Sequence, residues 1–241
     1  MKKIRYLLLI IVIMICIFFY QDPYAMEESK ILMAPTFENI LGCDNLGRDI
    51  FSRLLLGSFY TLAIAFLSIS LSVITGTIIG SLAGYFGKGI DVIIMSIVEV
   101  IMSIPGILIA LGIIIILGTG FHSLIVAIFV IYIPRCVNVV RGLVKKEKNM
   151  EYVIAVKTYG VSDLRIIYRH ILPNILKSVS VSFTTGFAGA ILTEAGLGYL
   201  GLGIQPPYPT WGNMLNQSQS YFLSAPWFTI APGLAIIFTI Y

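Results

Sequence analysis

Charge is the scarcest property of this sequence. Only 12% of its 241 residues are Asp, Glu, Lys or Arg, about half of the roughly 25% that soluble globular proteins carry. No charged residue occurs in five long stretches, 6–21, 54–87, 100–134, 178–193 and 195–241. Because a bilayer core requires stretches of this kind, the composition excludes an ordinary soluble domain and predicts an all-α, polytopic membrane protein.

Clustered metal ligands and a phosphate-binding loop are also lacking. The three cysteines, Cys16, Cys43 and Cys136, and the two histidines form no spaced set, which excludes a disulfide scaffold and predicts no metal site. No Gly-rich loop ends in Gly-Lys-Ser/Thr, so we expect the chain itself to bind neither ATP nor its magnesium. Disorder is excluded in turn, because 14 Phe and 13 Tyr provide ample apolar surface.

Long apolar stretches are what the sequence does contain. A helix needs about 20 mostly apolar residues to cross a bilayer core. By this measure the sequence predicts six transmembrane helices, near 4–20, 60–85, 92–117, 123–140, 177–195 and 225–241. We expect the first to be an uncleaved anchor and not a secretory signal, because Pro23 occupies the small-residue place before a cleavage point at Ala25.

The distribution of Lys and Arg predicts the orientation. With the N-terminus in the cytoplasm, thirteen of the 16 basic residues fall on the inside, and only Lys30, Arg48 and Arg53 fall outside. The net charge of +4 is therefore explained by topology and gives no evidence for a nucleic-acid partner. We expect residues 1–20 to form an N-terminal helix, 21–56 an extracellular segment and 57–241 the transmembrane domain.

The extracellular segment contains an amphipathic stretch at 41–56. Apolar residues share one helical face and polar residues the other, which predicts a helix lying along the outer membrane surface. The apolar face comprises Leu46, Ile50, Phe51, Leu54 and Leu55, and the polar face Arg48, Asp49, Ser52 and Arg53.

Glycine and proline mark places where helices pack closely or bend. Gly76, Gly80 and Gly84 recur every fourth residue and predict close helix packing. Pro105 predicts a kink in the third span. The many Gly and Pro residues of 196–212 forbid a regular helix there, which favours a pore mouth or a docking surface that includes Gln205.

Two carboxylates, Glu99 and Glu194, lie at membrane depth by this count. Intramembrane carboxylates usually face a cavity or a partner, so both are candidates for lining a pathway, together with Pro105 and Gln205. A structural role at the interface is the equally weighted alternative for each carboxylate.

The segment 145–176 is the most informative. Residues 151–159 predict a short helix that Gly160 ends, Ser162 is placed to cap a second helix, and Pro173 is expected to interrupt the chain before the next span. Two short helices joined at a glycine, on the basic side, predict a protruding docking element; a solvated basic loop would explain only the charges.

Several runs of residues resemble a known family of transporters. Glu151, Ala155, Gly160 and the run 169–174 (RHILPN), which contains Arg169, His170 and Pro173, resemble the EAA loop of inner-membrane permeases of ATP-binding cassette importers. The runs 41–49 (LGCDNLGRD), 103–106 (SIPG), 194–207 (EAGLGYLGLGIQPP) and 211–212 (WG) resemble the dipeptide, oligopeptide and nickel permeases, second-subunit type.

The resemblance implies a permease fold of the type I importers and a multi-pass subunit of a bacterial cell membrane. It implies three kinds of protein partner besides lipid: a homologous permease, two cytoplasmic ATPases that bind 145–176, and an external solute-binding protein. ATP and magnesium would be bound by the ATPases, and this chain would be a transport subunit and not an enzyme. It also implies a longer C-terminus, so we expect the sequence to be truncated.

Two other functions stay open at this level. A secondary transporter or channel would show an inverted repeat, ion-coupling carboxylates or a filter repeat, and we find none of these signals in the sequence. A non-transporting membrane scaffold would bind an ATPase without moving a solute. The sequence does not decide between dipeptides, longer peptides, nickel and other metal chelates as substrates.

Overall fold

The computed structural model describes residues 19–241, and within that range the chain is helical without a β-strand. We number the α-helices α1 (Ile50–Phe86), α2 (Lys88–Ser103), α3 (Gly106–Leu117), α4 (Phe121–Glu147), α5 (Glu151–Thr158), α6 (Asp163–Ile166), α7 (Leu172–Tyr199), α8 (Trp211–Ser218) and α9 (Pro226–Ile240). A π-helical turn, Ile167–Ile171, joins α6 to α7 without a break. The predicted first span, 4–20, lies almost entirely outside the described residues.

Three continuous helices are long and apolar enough to cross a membrane: α1, α4 and the run Asp163–Tyr199. They contain the predicted second, fourth and fifth spans. The predicted sixth span appears as α9, an apolar helix of 15 residues, which is shorter than the usual crossing length. The described residues therefore contain three crossing helices, or four if α2 and α3 count as one bent span.

The predicted third span is broken rather than kinked. Helices α2 and α3 meet at an angle of 91°. Between them Ile104 and Pro105 are extended, with ψ angles of 128° and 129°. A proline disfavours helical geometry in the residue before it, and here both residues leave the helix, so the chain turns sharply.

The chain divides into two compact units. The first unit contains the described residues up to Ala63 together with Glu194–Tyr241, and the second unit is Ile64–Thr193.

In the first unit, the prediction of a surface helix at 41–56 is wrong. Residues 41–49 are not helical, and the polar side chains of Arg48 and Arg53 are buried, with exposed fractions of 2% and 0%. Asp44 lies between them, with its Oδ2 2.7 Å from Arg48 Nε and 3.3 Å from Arg53 Nε. Polar side chains can be buried here because the carboxylate of Asp44 compensates the charges of both guanidinium groups. Amphipathicity alone therefore predicts the wrong face as the buried one.

The first unit also brings its two separate pieces of chain together in an apolar core. Ile50, at the start of α1, packs with Met214 of α8 and Phe228 of α9. The indole Nε1–H of Trp211 donates to the carbonyl of Leu54 at 3.2 Å, which adds a polar tie to the same helix. The core therefore holds the start of α1 against α8 and α9.

In the second unit, the three spaced glycines of α1 face α4 at close range. A Cβ placed on Gly80 would lie 2.7 Å from the carbonyl oxygen of Val137 and 2.9 Å from Val140 Cβ. Gly76 and Gly84 approach the same helix, at Cys136 and Arg141. The missing side chains allow the two backbones to come this close.

We expect Gly80→Ala to lower stability, because its methyl group has no room. Overpacking costs about 1–3 kcal/mol, and the better helix propensity of Ala returns only about 1 kcal/mol. Gly142→Ala in α4 is the matched control, since nothing lies within 4 Å of a Cβ at Gly142. Each variant is heated in detergent, and the temperature at which half of the protein is no longer monodisperse is measured. This temperature should fall for Gly80→Ala and should stay the same or rise for Gly142→Ala. Equal temperatures for the two variants would contradict close packing of α1 on α4.

Candidate functional site

The candidate site consists of α5, Gly160, α6 and the π-helical turn that follows. We call these residues, 151–171, the elbow. The structure forms both predicted short helices. Helix α5 ends where the amide of Tyr159 donates to the carbonyl of Ala155 at 3.2 Å and that of Gly160 donates to Lys157 at 3.0 Å. Gly160 has a φ of +75°, a conformation that favours glycine.

The capping prediction is partly wrong. Ser162 does occupy the N-cap of α6, but its side chain makes no capping hydrogen bond. Its carbonyl instead accepts the amide of Ile166 at 3.0 Å, and the first turn of α6 carries Asp163, favourable against the helix dipole.

Pro173 does not interrupt the chain as predicted. It is the second residue of α7, and the helix runs on from Asp163 to Tyr199 through the π-helical turn. In this turn the hydrogen bonds join residues five apart instead of four, so that the amide of Leu172 donates to the carbonyl of Ile167. The π turn therefore directly precedes the residue that lacks an N–H and lets the helix continue past it.

An apolar core anchors the elbow to the ends of the spans. Val153 of α5 and Ile166 of α6 are buried in one cluster. The cluster also contains Tyr85 of α1, Val140 and Val144 of α4, Ile167 and Ile171 of the π turn, and Ile175 and Val179 of α7. Helices α1, α4 and α7 thus share one core with the elbow, so a displacement of the elbow is passed to all three.

Two tyrosines that the sequence reasoning missed fasten the elbow with hydrogen bonds. The hydroxyl of Tyr85 donates to Asp163 Oδ1 at 2.6 Å, and that of Tyr152 donates to Glu147 Oε1 at 2.6 Å. Burial, and then the bond to Glu147, raise the pKa of Tyr152. An aromatic residue at the end of an apolar stretch, as Tyr85 is, could have been noted as an interfacial anchor.

The remaining EAA-type residues lie mostly on the surface. Glu151, Ala155, Gly160, Arg169 and Pro173 are exposed and His170 is half-buried. The carbonyl of His170 accepts from Asn174 Nδ2 at 2.9 Å, which holds the start of α7.

Large apolar side chains are exposed on the same surface. Tyr159 and Leu164 are 87% and 63% exposed, on either side of Gly160. An anchored element that presents apolar side chains is suited to receive a protein partner.

The four candidate pathway residues are divided between the two units. Glu99 and Pro105 are exposed residues of the second unit, whereas Glu194 and Gln205 belong to the first. Glu99 borders a groove of about 220 Å³ with Asp91, Ser96 and Arg141.

Glu194 is fully buried, so the structure places it in the interior of the first unit. Around it the close approach of α7 and α8 requires glycine. A Cβ on Gly212 would lie 2.6 Å from the carbonyl oxygen of Ala195 and 2.8 Å from its Cα. The hydroxyl of Thr210 caps α8 by accepting the amide of Asn213 at 3.2 Å.

The Gly- and Pro-rich segment is irregular only in part. Helix α7 runs through Gly196 and Gly198 to Tyr199 and α8 begins at Trp211, but no regular helix passes through 196–212, as predicted. The irregular backbone is 200–210. There Gln205 is exposed and its Nε2 donates to the carbonyls of Gly201 and Gly203, both at 3.1 Å.

Comparison with known proteins is consistent with this architecture. The family described as "Binding-protein-dependent transport system inner membrane component" matches residues 76–241. The dipeptide transport system permease protein of Alkalihalophilus pseudofirmus is 39% identical over 214 residues, which cover 89% of this chain and 70% of the relative. The glutathione transport system permease protein of Pectobacterium atrosepticum is 39% identical over 225 residues, covering 92% and 75%.

The fold has a counterpart among solved structures. A chain of the MetNI methionine ABC transporter in an inward-facing conformation superposes with a TM-score of 0.67 at 20% identity. The match covers 78% of this chain and 89% of that one.

Proposed function

Because the chain belongs to the family of binding-protein-dependent transport system inner membrane components, we propose that it is the permease subunit of an importer of short peptides, driven by separate ATPase subunits. The chain is a transport subunit and not an enzyme. The peptide class follows from relatives named for dipeptide and glutathione transport. In this proposal a homologous permease completes the pathway, an external binding protein delivers the peptide, and two ATPases hold ATP and magnesium in the cytoplasm.

The observation that carries the proposal is the anchored, exposed elbow. An ATPase that grips Tyr159 and Leu164 would displace α5 and α6 together, because both are packed into the core with Tyr85. The displacement would reach α1, α4 and α7 at their ends and rock them, which opens the pathway alternately to the two sides. The elbow thus converts ATPase closure into movement of the spans.

The test is assembly and uptake with every partner present. The full chain is co-expressed with its permease partner, ATPases and binding protein, and uptake of a labelled dipeptide is compared with uptake of nickel. Tyr159→Asp/Leu164→Asp should abolish copurification of the ATPase. Phe37→Asp, at a 95% exposed apolar residue of the predicted external segment, should leave copurification unchanged. Uptake without an ATPase, or an ATPase that binds the double variant normally, would refute the proposal.

The segment 200–210 is proposed to lie outside and to border the pathway. We expect Gln205→Cys to react with an impermeant maleimide added externally, whereas Thr210→Cys, at a fully buried position, should not react. Native Cys43 and Cys136 are buried, and burial raises the pKa of the Cys43 thiol to about 11, so their background is low when Cys16 is replaced by Ser. Labelling of Gln205→Cys only from the cytoplasm would reverse the proposed topology.

A further inference from the structure

A groove of about 360 Å³ opens beside α5 in the second unit, on the face of α5 that borders Tyr85. We call it the interfacial groove; its polar lining comprises Tyr85, Lys148, Asn149, Lys157 and Thr158. Its volume is about twelve times the ~30 Å³ that one water molecule occupies in the liquid. The groove therefore has room for a phosphate group and the glycerol attached to it.

Two lysine ammonium groups converge on this groove without an anion. Lys148 Nζ donates to the carbonyl oxygen of Tyr85 at 3.2 Å, and Lys157 Nζ lies 5.9 Å from the centre of the Tyr85 ring. Neither ammonium has a carboxylate within 4.0 Å among residues 19–241, whereas Lys145 lies 2.7 Å from Asp91. Two cations held against the same residue repel each other, and an anion between them would offset this repulsion.

Of the carboxylates nearest in sequence, Glu151 is exposed and lies outside the groove lining, and the other two are engaged elsewhere. Asp163 accepts from the Tyr85 hydroxyl and Glu147 from the Tyr152 hydroxyl, both at 2.6 Å. Asn149 uses one amide hydrogen on the carbonyl of Lys145, which leaves its second hydrogen for a ligand. The groove thus offers three donors and no anionic side chain in its lining, the chemistry that binds a phosphate.

The groove lies where a membrane span ends. Tyr85 and Phe86 close α1, whose sequence carries no charge from 54 to 87, and Lys88 follows at once. In a chain that spans the bilayer, such a position is level with the lipid headgroups. Basic pockets beside spans on the cytoplasmic side are suited to anionic headgroups.

We propose that the interfacial groove binds a phosphate group, that of an anionic phospholipid headgroup or a soluble phosphate, between Lys148 and Lys157. The proposal rests on the proposed function in placing this end of α1 at the cytoplasmic membrane surface. A bound phosphate would join α5 to the end of α1 and so would stiffen the elbow.

The test uses the full chain, with its partner subunits where they assemble, in nanodiscs of phosphatidylcholine with or without phosphatidylglycerol. Native mass spectrometry counts the lipids retained. We expect K148Q/K157Q to bind phosphatidylglycerol at least tenfold more weakly than the wild type. K146Q/K177Q removes the same charge at exposed lysines outside the groove and should bind as the wild type does. K157Q alone serves if the double variant is unstable, since Lys157 makes no hydrogen bond to the Tyr85 carbonyl.

A second arm separates the two sources of phosphate. Inorganic phosphate and glycerol phosphate are titrated at millimolar concentration, both in discs of phosphatidylcholine alone and in discs that also contain phosphatidylglycerol. If phosphatidylglycerol is retained through the two lysines and the soluble phosphates do not displace it, the ligand is the lipid headgroup. If the soluble phosphates themselves bind through the two lysines, the ligand is a free phosphate. Both outcomes support the proposal. Equal binding by all variants overturns it. So does loss of the ATPase from K148Q/K157Q with lipid binding unchanged, which would make the groove a protein contact.

Failure of the proposed function is seen separately. If the wild type binds no ATPase and imports no peptide, the proposed function fails, whereas the count of retained lipids can still be made on the chain alone.

Discussion

Replacing Gly160 by Leu is expected to abolish most peptide uptake while leaving the subunit in the membrane. A side chain at a φ of +75° costs roughly 1 kcal/mol of backbone strain, which a core of this size tolerates. The structure has open space around Gly160, with no atom within 4 Å of a Cβ placed there. The expected loss therefore comes from a partner that approaches the elbow and not from a clash inside this chain.

Gly160→Ala separates the two causes. Both variants carry the same backbone strain, but only Leu projects far beyond the elbow. We expect uptake by Gly160→Ala to stay within severalfold of the wild type and uptake by Gly160→Leu to fall at least tenfold, with ATPase turnover no longer stimulated by the loaded binding protein. Equal uptake by the two variants would mean that strain alone matters, and full uptake by Gly160→Leu would show that no partner approaches Gly160.

Local signals in the sequence predict the elbow well. Gly160 ends one helix and Ser162 begins the next because both effects depend on a few neighbouring residues. The charge-free stretches likewise locate α1, α4 and α7, since the bilayer acts on each span independently. The sequence does not predict that the helix continues through Pro173. A proline at this position can end the preceding helix, or a π-helical turn just before it can accommodate the proline within one continuous helix.

Contacts between distant residues are what the sequence does not predict. Tyr85 and Asp163 are 78 residues apart, and their hydrogen bond depends on the packing of α1 against α6. The polar face of 41–56 could be placed in water or in the interior, and amphipathicity is the same in both cases. Only the fold decides, by bringing Gln217 to 3.0 Å from Arg48 and by closing 41–49 over the start of α1.

Asp44→Asn is expected to have the largest effect on stability, because Arg48 and Arg53 are buried beside Asp44. The substitution keeps the shape and an acceptor oxygen, so the amides of Leu46 and Arg48 can still be bound, at positions now 2.9 and 3.0 Å from Asp44 Oδ1. It removes the charge that compensates Arg48 and Arg53. Breaking a buried ion pair in this way costs about 3–5 kcal/mol, because the remaining charge stays buried without a counterion.

Glu27→Gln is the matched control, because it removes one carboxylate charge from an ion pair at the surface. Glu27 lies 2.9 Å from Lys30 but is half exposed, and water screens both charges when the pair is lost. In a thermal series in detergent, Asp44→Asn should lose monodisperse protein many degrees below the wild type, and Glu27→Gln should follow the wild type. Limited proteolysis of 21–49 should accelerate in Asp44→Asn alone, since this segment closes over the arginines. If both variants lost monodisperse protein at the same temperature, Asp44 would contribute no more than a surface charge, and Arg48 and Arg53 would have to be compensated by other groups.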